Sequence, residues 1–136
     1  MINITENQSI ATFTETASIH EILTQAAQSG IVIDMIAQLP SATQIDLAFT
    51  FADEALPAFL KIVSEHKKSV SSNNTKIAIK SAEMITGTGF AAKVFAILNE
   101  LDCSPLLITT GLDEISLLVH KNCAEELSQR FHANFT

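Results

Sequence analysis

The sequence predicts an α+β chain of two βαββαβ modules, each a four-stranded antiparallel sheet with its helices on one face. Three observations predict it. First, the chain nearly repeats itself: ASIHEILTQAAQSGIVIDMI at residues 17–36 lies over GFAAKVFAILNELDCSPLLI at 89–108, an offset of about 72 residues. Ile19 then meets Ala91, Ile22 meets Val94, Leu23 meets Phe95 and Ala26 meets Leu98. After a loop, Asp46-Leu47-Ala48-Phe49-Thr50 meets Glu114-Ile115-Ser116-Leu117-Leu118. Second, within each copy the apolar spacing alternates between the period of a helix and that of a strand. Third, Ile2-Asn3-Ile4-Thr5 alternates ahead of the first copy with no place in it, whereas the second copy ends one strand short. A long period with few copies points to two small domains rather than a solenoid.

The elements follow in order. Residues 9–14 alternate and are rich in β-branched side chains, so they read as a strand. Ile19, Ile22, Leu23, Ala26 and Ala27 then hold one helical face, and Gly30 is placed to end that helix. Residues 31–38 form the second strand, 44–51 the third, with a turn opened by Pro40-Ser41. A second helix starts near Asp53 and turns Ala55, Phe59, Ile62 and Val63 inward, with Lys67-Lys68 suited to its C-terminal dipole. Residues 69–74 are polar and turn-prone, the natural linker. The second copy repeats the order: strand 75–80, helix 89–101, strand 103–109, strand 114–119, helix 124–131. The domains are therefore 6–70 and 75–136, and chain economy assigns the strand at 1–5 to the second, pairing with residues 115–119.

Composition excludes several function classes. The 136 residues are 47% hydrophobic and 17% charged, enough apolar material for one compact body or two half-size ones. Fifteen acidic side chains against eight basic ones give a net charge of -7, and the basic residues are scattered. Nucleic acid and anionic membranes both require clustered Lys and Arg, so neither is a partner. Cys103 and Cys123 have no metal-ligand or CxxC spacing and read as reduced structural thiols of a cytoplasmic protein. No apolar run is long enough to span a membrane, and the N-terminus carries no secretory pattern. His20, His66, His120 and His132 have no partners at ligand spacing, so no metal or other cofactor is expected.

Gly30-Ile31-Val32-Ile33-Asp34-Met35-Ile36-Ala37-Gln38 followed by Asp46-Leu47-Ala48-Phe49-Thr50 resembles the first ACT domain of the aspartate kinase regulatory region, where G-I-N-V-D-M-I-x-Q precedes D-I-S-F-T. The run from Met84 to Phe95 resembles the second ACT domain, where a Met-containing loop leads into P-G-V-A-A-K-x-F. Thr109-Thr110 with Glu114-Ile115-Ser116 is similar to the I-S-T-S-E-I-x-I-S ending. The resemblance covers nearly the whole chain and lies in the order of segments more than in any one of them. It implies tandem ferredoxin-like ACT domains that pair their sheets, dimerise with another chain and bind lysine or threonine at domain interfaces to restrain an aspartate kinase. It also accounts for the first segment, because in that family a strand ahead of the first ACT domain completes the second. No kinase domain is present: the chain has no glycine-rich phosphate cradle and too few residues to hold one. The chain is thus expected to be the regulatory part of a kinase, a separate small subunit or a free-standing relative, with no catalytic residues of its own.

Candidate effector contacts follow from strand and helix geometry. If residues 31–38 are one strand, Val32, Asp34, Ile36 and Gln38 share a face, and a carboxylate and an amide there can hold an amino acid's ammonium and side chain. The ligand's carboxylate would seek the N–H groups at a helix start, near Ala17 and Ile19 or near Gly89. By resemblance, Asp34 and Gln38 fall on effector-contacting positions, and Ser104 and Pro105 occupy the second-copy place where the family has Asn-Ile. The bland alternative is that Asp34 and Gln38 are solvated strand residues. The departures matter too: the family's Asn is Val32 in the first copy and Ser104 in the second, Pro-Gly is Thr16-Ala17 in a shortened loop, Thr88 stands for proline, and Asp102 for the helix-ending glycine. These changes imply a different effector, or an ACT pair kept for assembly alone. A small acylphosphatase-like enzyme is disfavoured, because the only arginine, Arg130, falls on the last helix.

Overall fold

The computed structural model describes residues 1–14 and 19–135. In chain order they form β1 (Ile2–Phe13), α1 (Ile19–Gln28), β2 (Ile36–Pro40), β3 (Ile45–Ala52), a short 3-10 turn at Asp53–Ala55, and α2 (Leu56–Ile62). Next come β4 (Ser69–Lys80), α3 (Glu83–Thr86), α4 (Phe90–Glu100), β5 (Leu107–Thr110), β6 (Glu114–His120) and α5 (Lys121–Phe135). The six strands hydrogen-bond in the order β2-β3-β1-β4-β6-β5.

The chain divides into two compact units, residues 7–73 and residues 1–6 with 74–136. In the first, β3 pairs antiparallel with β1, from Gln8↔Ala52 to Phe13↔Leu47, and with β2, from Ile36↔Phe49 to Pro40↔Ile45. Alternate residues of these strands face α1 and α2, and there Ala11, Phe13, Ile22, Ala26, Ile31, Leu47, Phe49, Phe51, Phe59 and Val63 form the core. Phe59 stacks on Phe51 at 4.4 Å between ring centroids and meets Phe49 edge-on at 6.4 Å. Burying each such ring stabilises the fold by about 1.5–3 kcal/mol.

In the second unit β6 pairs with β4, from Asn74↔His120 to Lys80↔Glu114, and with β5, from Leu107↔Leu118 to Thr110↔Ile115. Ile77, Ile79, Ile115, Leu117 and Val119 of this sheet pack against Phe90, Val94, Ile97 and Leu98 of α4 and Leu127 and Phe131 of α5. The first segment belongs here, and the Lys80 N–H donates to the Met1 carbonyl at 2.8 Å.

Four expectations are corrected. The first segment lies beside β4, not beside residues 115–119, because β6 already has β4 and β5 as its neighbours. The run expected to be a linker is a strand. Residues 69–74 open β4, where the Thr12 hydroxyl donates to the Ser69 carbonyl at 3.4 Å, Val70 packs on the core and Asn74 is fully buried. Strand pairing satisfies the backbone of this run and overrides its turn-prone composition. The strands expected at 31–38 and 103–109 begin later, at Ile36 and Leu107. Finally, Cys103 and Cys123 are not free thiols: they form a disulfide, with Cα atoms 6.3 Å apart, because the end of α4 and the start of α5 bring together two residues far apart in sequence.

The internal repeat extends to single hydrogen bonds. The Ile31 N–H donates to the Ala26 carbonyl and the Cys103 N–H to the Leu98 carbonyl, both at 2.9 Å. These bonds close the ends of α1 and α4, preceded by a left-handed residue in each case: Gly30 at φ 73 and Asp102 at φ 52. Asp34 N–H to the Thr50 carbonyl likewise matches Leu106 N–H to the Leu118 carbonyl.

Candidate functional site

The segment after α1 carries Asp34. Residues 31–38 do alternate in exposure, with Ile31 and Met35 buried and Val32, Asp34, Ile36 and Gln38 exposed. The ladder, however, breaks inside this segment. Asp34 N–H donates to the Thr50 carbonyl at 2.9 Å, Met35 N–H turns instead to the Thr50 hydroxyl at 2.9 Å, and Thr50 N–H returns to the Met35 carbonyl at 3.0 Å. Regular pairing starts only at Ile36↔Phe49 and Gln38↔Leu47, and directly opposed residues point to the same side. Ile36 and Gln38 therefore stand on the side of Phe49 and Leu47, which is also the side to which Ile31 and Ile33 contribute. One extra residue lies between Ile33 and Ile36, and Asp34 and Gln38 do not share one regular strand face. This corrects the single-strand expectation.

Thr50 is the residue that sequence reasoning passed over. It is 1% exposed, and its hydroxyl takes the backbone donor released by the break, fixing the main chain next to Asp34. A threonine between two phenylalanines in a mostly apolar strand was the available signal. A buried hydroxyl has to find a partner.

In the second unit Gly89 precedes α4 at φ 85, and its carbonyl accepts the Lys93 N–H at 3.1 Å. A Cβ there would meet nothing within 4 Å, so the left-handed backbone alone calls for glycine. Gly87 differs: its Cβ would lie 2.9 Å from the Glu83 carbonyl oxygen, so space calls for glycine there. Ser104 is exposed and Pro105 half-buried, both just past the other end of α4. α4 is eleven residues, about 16 Å, long, with Gly89 at its start and Ser104 past its end. Likewise Ile19 begins α1, whereas Asp34 follows its far end. The structure does not gather these groups into one pocket within either unit. Ala17, the other expected helix-start contact, lies outside the described residues.

Two hollows lie elsewhere. One of about 200 Å³ is lined by Glu21, Gln25, Glu65 and His66, and one of about 320 Å³ by Lys93, Glu100, Arg130 and Phe135. Neither includes a candidate effector contact. Among the described residues, no group of three His, Cys, Asp or Glu is placed to hold a metal, and no helix is long and apolar enough to cross a membrane.

No protein-family model matches the chain. Aspartokinase 2 of Bacillus subtilis is 22% identical over 121 residues, which cover 84% of this chain and 30% of that protein; the match thus spans under a third of the curated relative. Among solved structures, the ligand-free regulatory subunit of aspartate kinase from Thermus thermophilus superposes with a TM-score of 0.85 at 17% identity, covering 99% of this chain and 97% of that one. Aspartokinase III of E. coli, in complex with lysine and aspartate, superposes with a TM-score of 0.73 at 19% identity, covering 98% of this chain and 32% of that one. The chain therefore resembles the regulatory part of aspartate kinases over nearly its whole length and shares its fold.

Proposed function

We propose that the chain is an allosteric regulatory module of the aspartate kinase type. In this reading residues 6–70 and 75–136 are two ferredoxin-like ACT domains, the second completed by residues 1–5. A free amino acid of the lysine or threonine class binds them, and its occupancy is passed to a kinase catalytic domain or subunit. The observation that carries the reading is mutual coverage: 99% of this chain aligns with 97% of a regulatory subunit, so the likeness extends over a whole regulatory polypeptide. The lysine bound in the E. coli relative supports an amino-acid effector.

Asp34 is the residue assigned to the effector's ammonium, with Gln38 of β2, which does not share its strand face, as a separate polar contact. The ligand's carboxylate would be met by amides at a helix start near Ala17 and Ile19 or near Gly89, with Ser104 and Pro105 as further contacts. Because these groups lie apart within each unit, a second copy of the chain supplies the missing wall, and the homodimer is part of the proposal.

Thermal unfolding with each of the twenty amino acids tests the reading. A true effector at a hundredfold excess over Kd stabilises the fold by about 2.7 kcal/mol. Asp34→Ala should remove that stabilisation and leave the unliganded chain within about 0.5 kcal/mol of the parent, as expected for an exposed side chain. If no amino acid at millimolar concentration shifts the transition, effector binding is refuted. A second reading then takes over, an ACT pair kept for assembly. It is favoured by Val32, which stands 80% exposed where the family has an asparagine amide.

A further inference from the structure

We propose that Cys103–Cys123 is a thiol–disulfide exchange site at which a dithiol reductant releases the Ser104–Pro105 segment from α5. The bridge joins two defined points. Cys103 is buried in the core, directly after left-handed Asp102, and its N–H closes α4 on the Leu98 carbonyl at 2.9 Å. Cys123 lies in the first turn of α5 and is only half-buried. The two helices also meet farther along, through Phe90 against Phe135 at 5.0 Å between ring centroids and through the Arg130–Glu100 ion pair. The bridge is therefore a local tie on the chain just ahead of Ser104, added to a helix pair that holds together without it.

The difference in burial selects the sulfur that reacts. A reductant thiolate reaches Sγ of Cys123, forms a mixed disulfide with it and breaks the Cys103–Cys123 bond. Cys103 departs as a thiolate and takes a proton. The second thiol of the reductant then attacks the mixed disulfide and frees Cys123, so the protein gains two electrons and two protons and the reductant becomes its own disulfide. Reduced Cys103 remains a small apolar side chain in the core, so the unit stays folded. What changes is the segment carrying Ser104 and Pro105, afterwards anchored by the Cys103 N–H bond and by the Leu106 N–H to the Leu118 carbonyl at 2.7 Å. Any effect on effector affinity rests on the function proposed above.

The test uses the full chain, with dithiothreitol as the dithiol. Maleimide labelling in denaturant should find no thiol in chain equilibrated with oxidised glutathione and both thiols after dithiothreitol. Amide hydrogen exchange at Cys103 and Leu106 should quicken by about tenfold on reduction while the central turns of α4 and α5 keep their protection. Cys123→Ser should exchange at the reduced rate and ignore dithiothreitol. Both thiols free after oxidised glutathione, a bridge that millimolar dithiothreitol leaves closed, or equal exchange at 103 and 106 in the two states would each overturn the proposal. Redox-dependent exchange with no lysine or threonine binding in either state would uphold the exchange site and refute the effector reading.

Discussion

Asp53 has its role through hydrogen bonds that reach across the sequence. Its carboxylate accepts the Ser9 hydroxyl at 2.6 Å and the Asn73 N–H at 3.2 Å, so one side chain of the 3-10 turn holds both β1 and β4. Ser9 is fully buried and Asn73 has φ 60, a left-handed conformation that needs support in a non-glycine residue. Asp53→Ala leaves the buried hydroxyl without this acceptor and should lower the unfolding free energy by about 1–3 kcal/mol, read from urea denaturation. Asp53→Asn keeps an acceptor oxygen and should recover part of that loss. Phe59→Ala, which empties the ring site between Phe49 and Phe51, should cost about 3–5 kcal/mol in the same experiment. The sequence announced Phe59 through its helical spacing. It could not announce Asp53, because Ser9 and Asn73 lie too far along the chain for any local pattern to link them.

Helix ends separate the two copies most clearly. α1 and α4 finish with the same left-handed closure, but the first uses Gly30 and the second Asp102. A Cβ at a left-handed position is a steric cost, so Asp102→Gly should raise stability by about 0.5–1 kcal/mol, measurable as a shift of the urea midpoint at constant slope. Gly30→Ala should do the reverse, and since its Cβ would meet nothing within 4 Å, the loss would be purely one of backbone conformation. The order of helices and strands was legible because each amphipathic face must match its own period. Strand starts at Ile36 and Leu107 were not, since apolar alternation runs on through residues 31–35 and 103–106, where burial persists but the regular ladder does not. For the same reason the face shared by Asp34 and Gln38 looked continuous: a one-residue irregularity at Thr50 resets the phase, and composition carries no trace of it. The polar run at 69–74 misled in the opposite sense, as backbone pairing to β1 makes a strand of residues whose side chains favour turns.

At the scale of the whole molecule, the orphan character of the first segment was legible, because a strand with no neighbour in its own copy needs one elsewhere, and residues 1–6 group with residues 74–136. The strand it joins was not, since pairing partners depend on which edge is open. That argument applies again to what remains open. β2 and β5 each have one strand neighbour, and both bear exposed apolar side chains: Leu39 is 69% exposed, Ile36 48% and Ile108 40%, with Leu106, 45% exposed, just ahead of β5. Unpaired strand edges with apolar flanks are a liability that proteins remove by covering them. A second copy offers the same surface, and a two-fold arrangement would cover both partners at once. Light scattering at tens of micromolar should therefore give a mass about twice the 14.7 kDa of one chain. Ile36→Lys with Ile108→Lys should return the chain to monomer without unfolding it, because neither side chain belongs to a core. A monomeric mass for the unsubstituted chain would refute the homodimer and, with it, the idea that a second copy completes the wall facing Asp34.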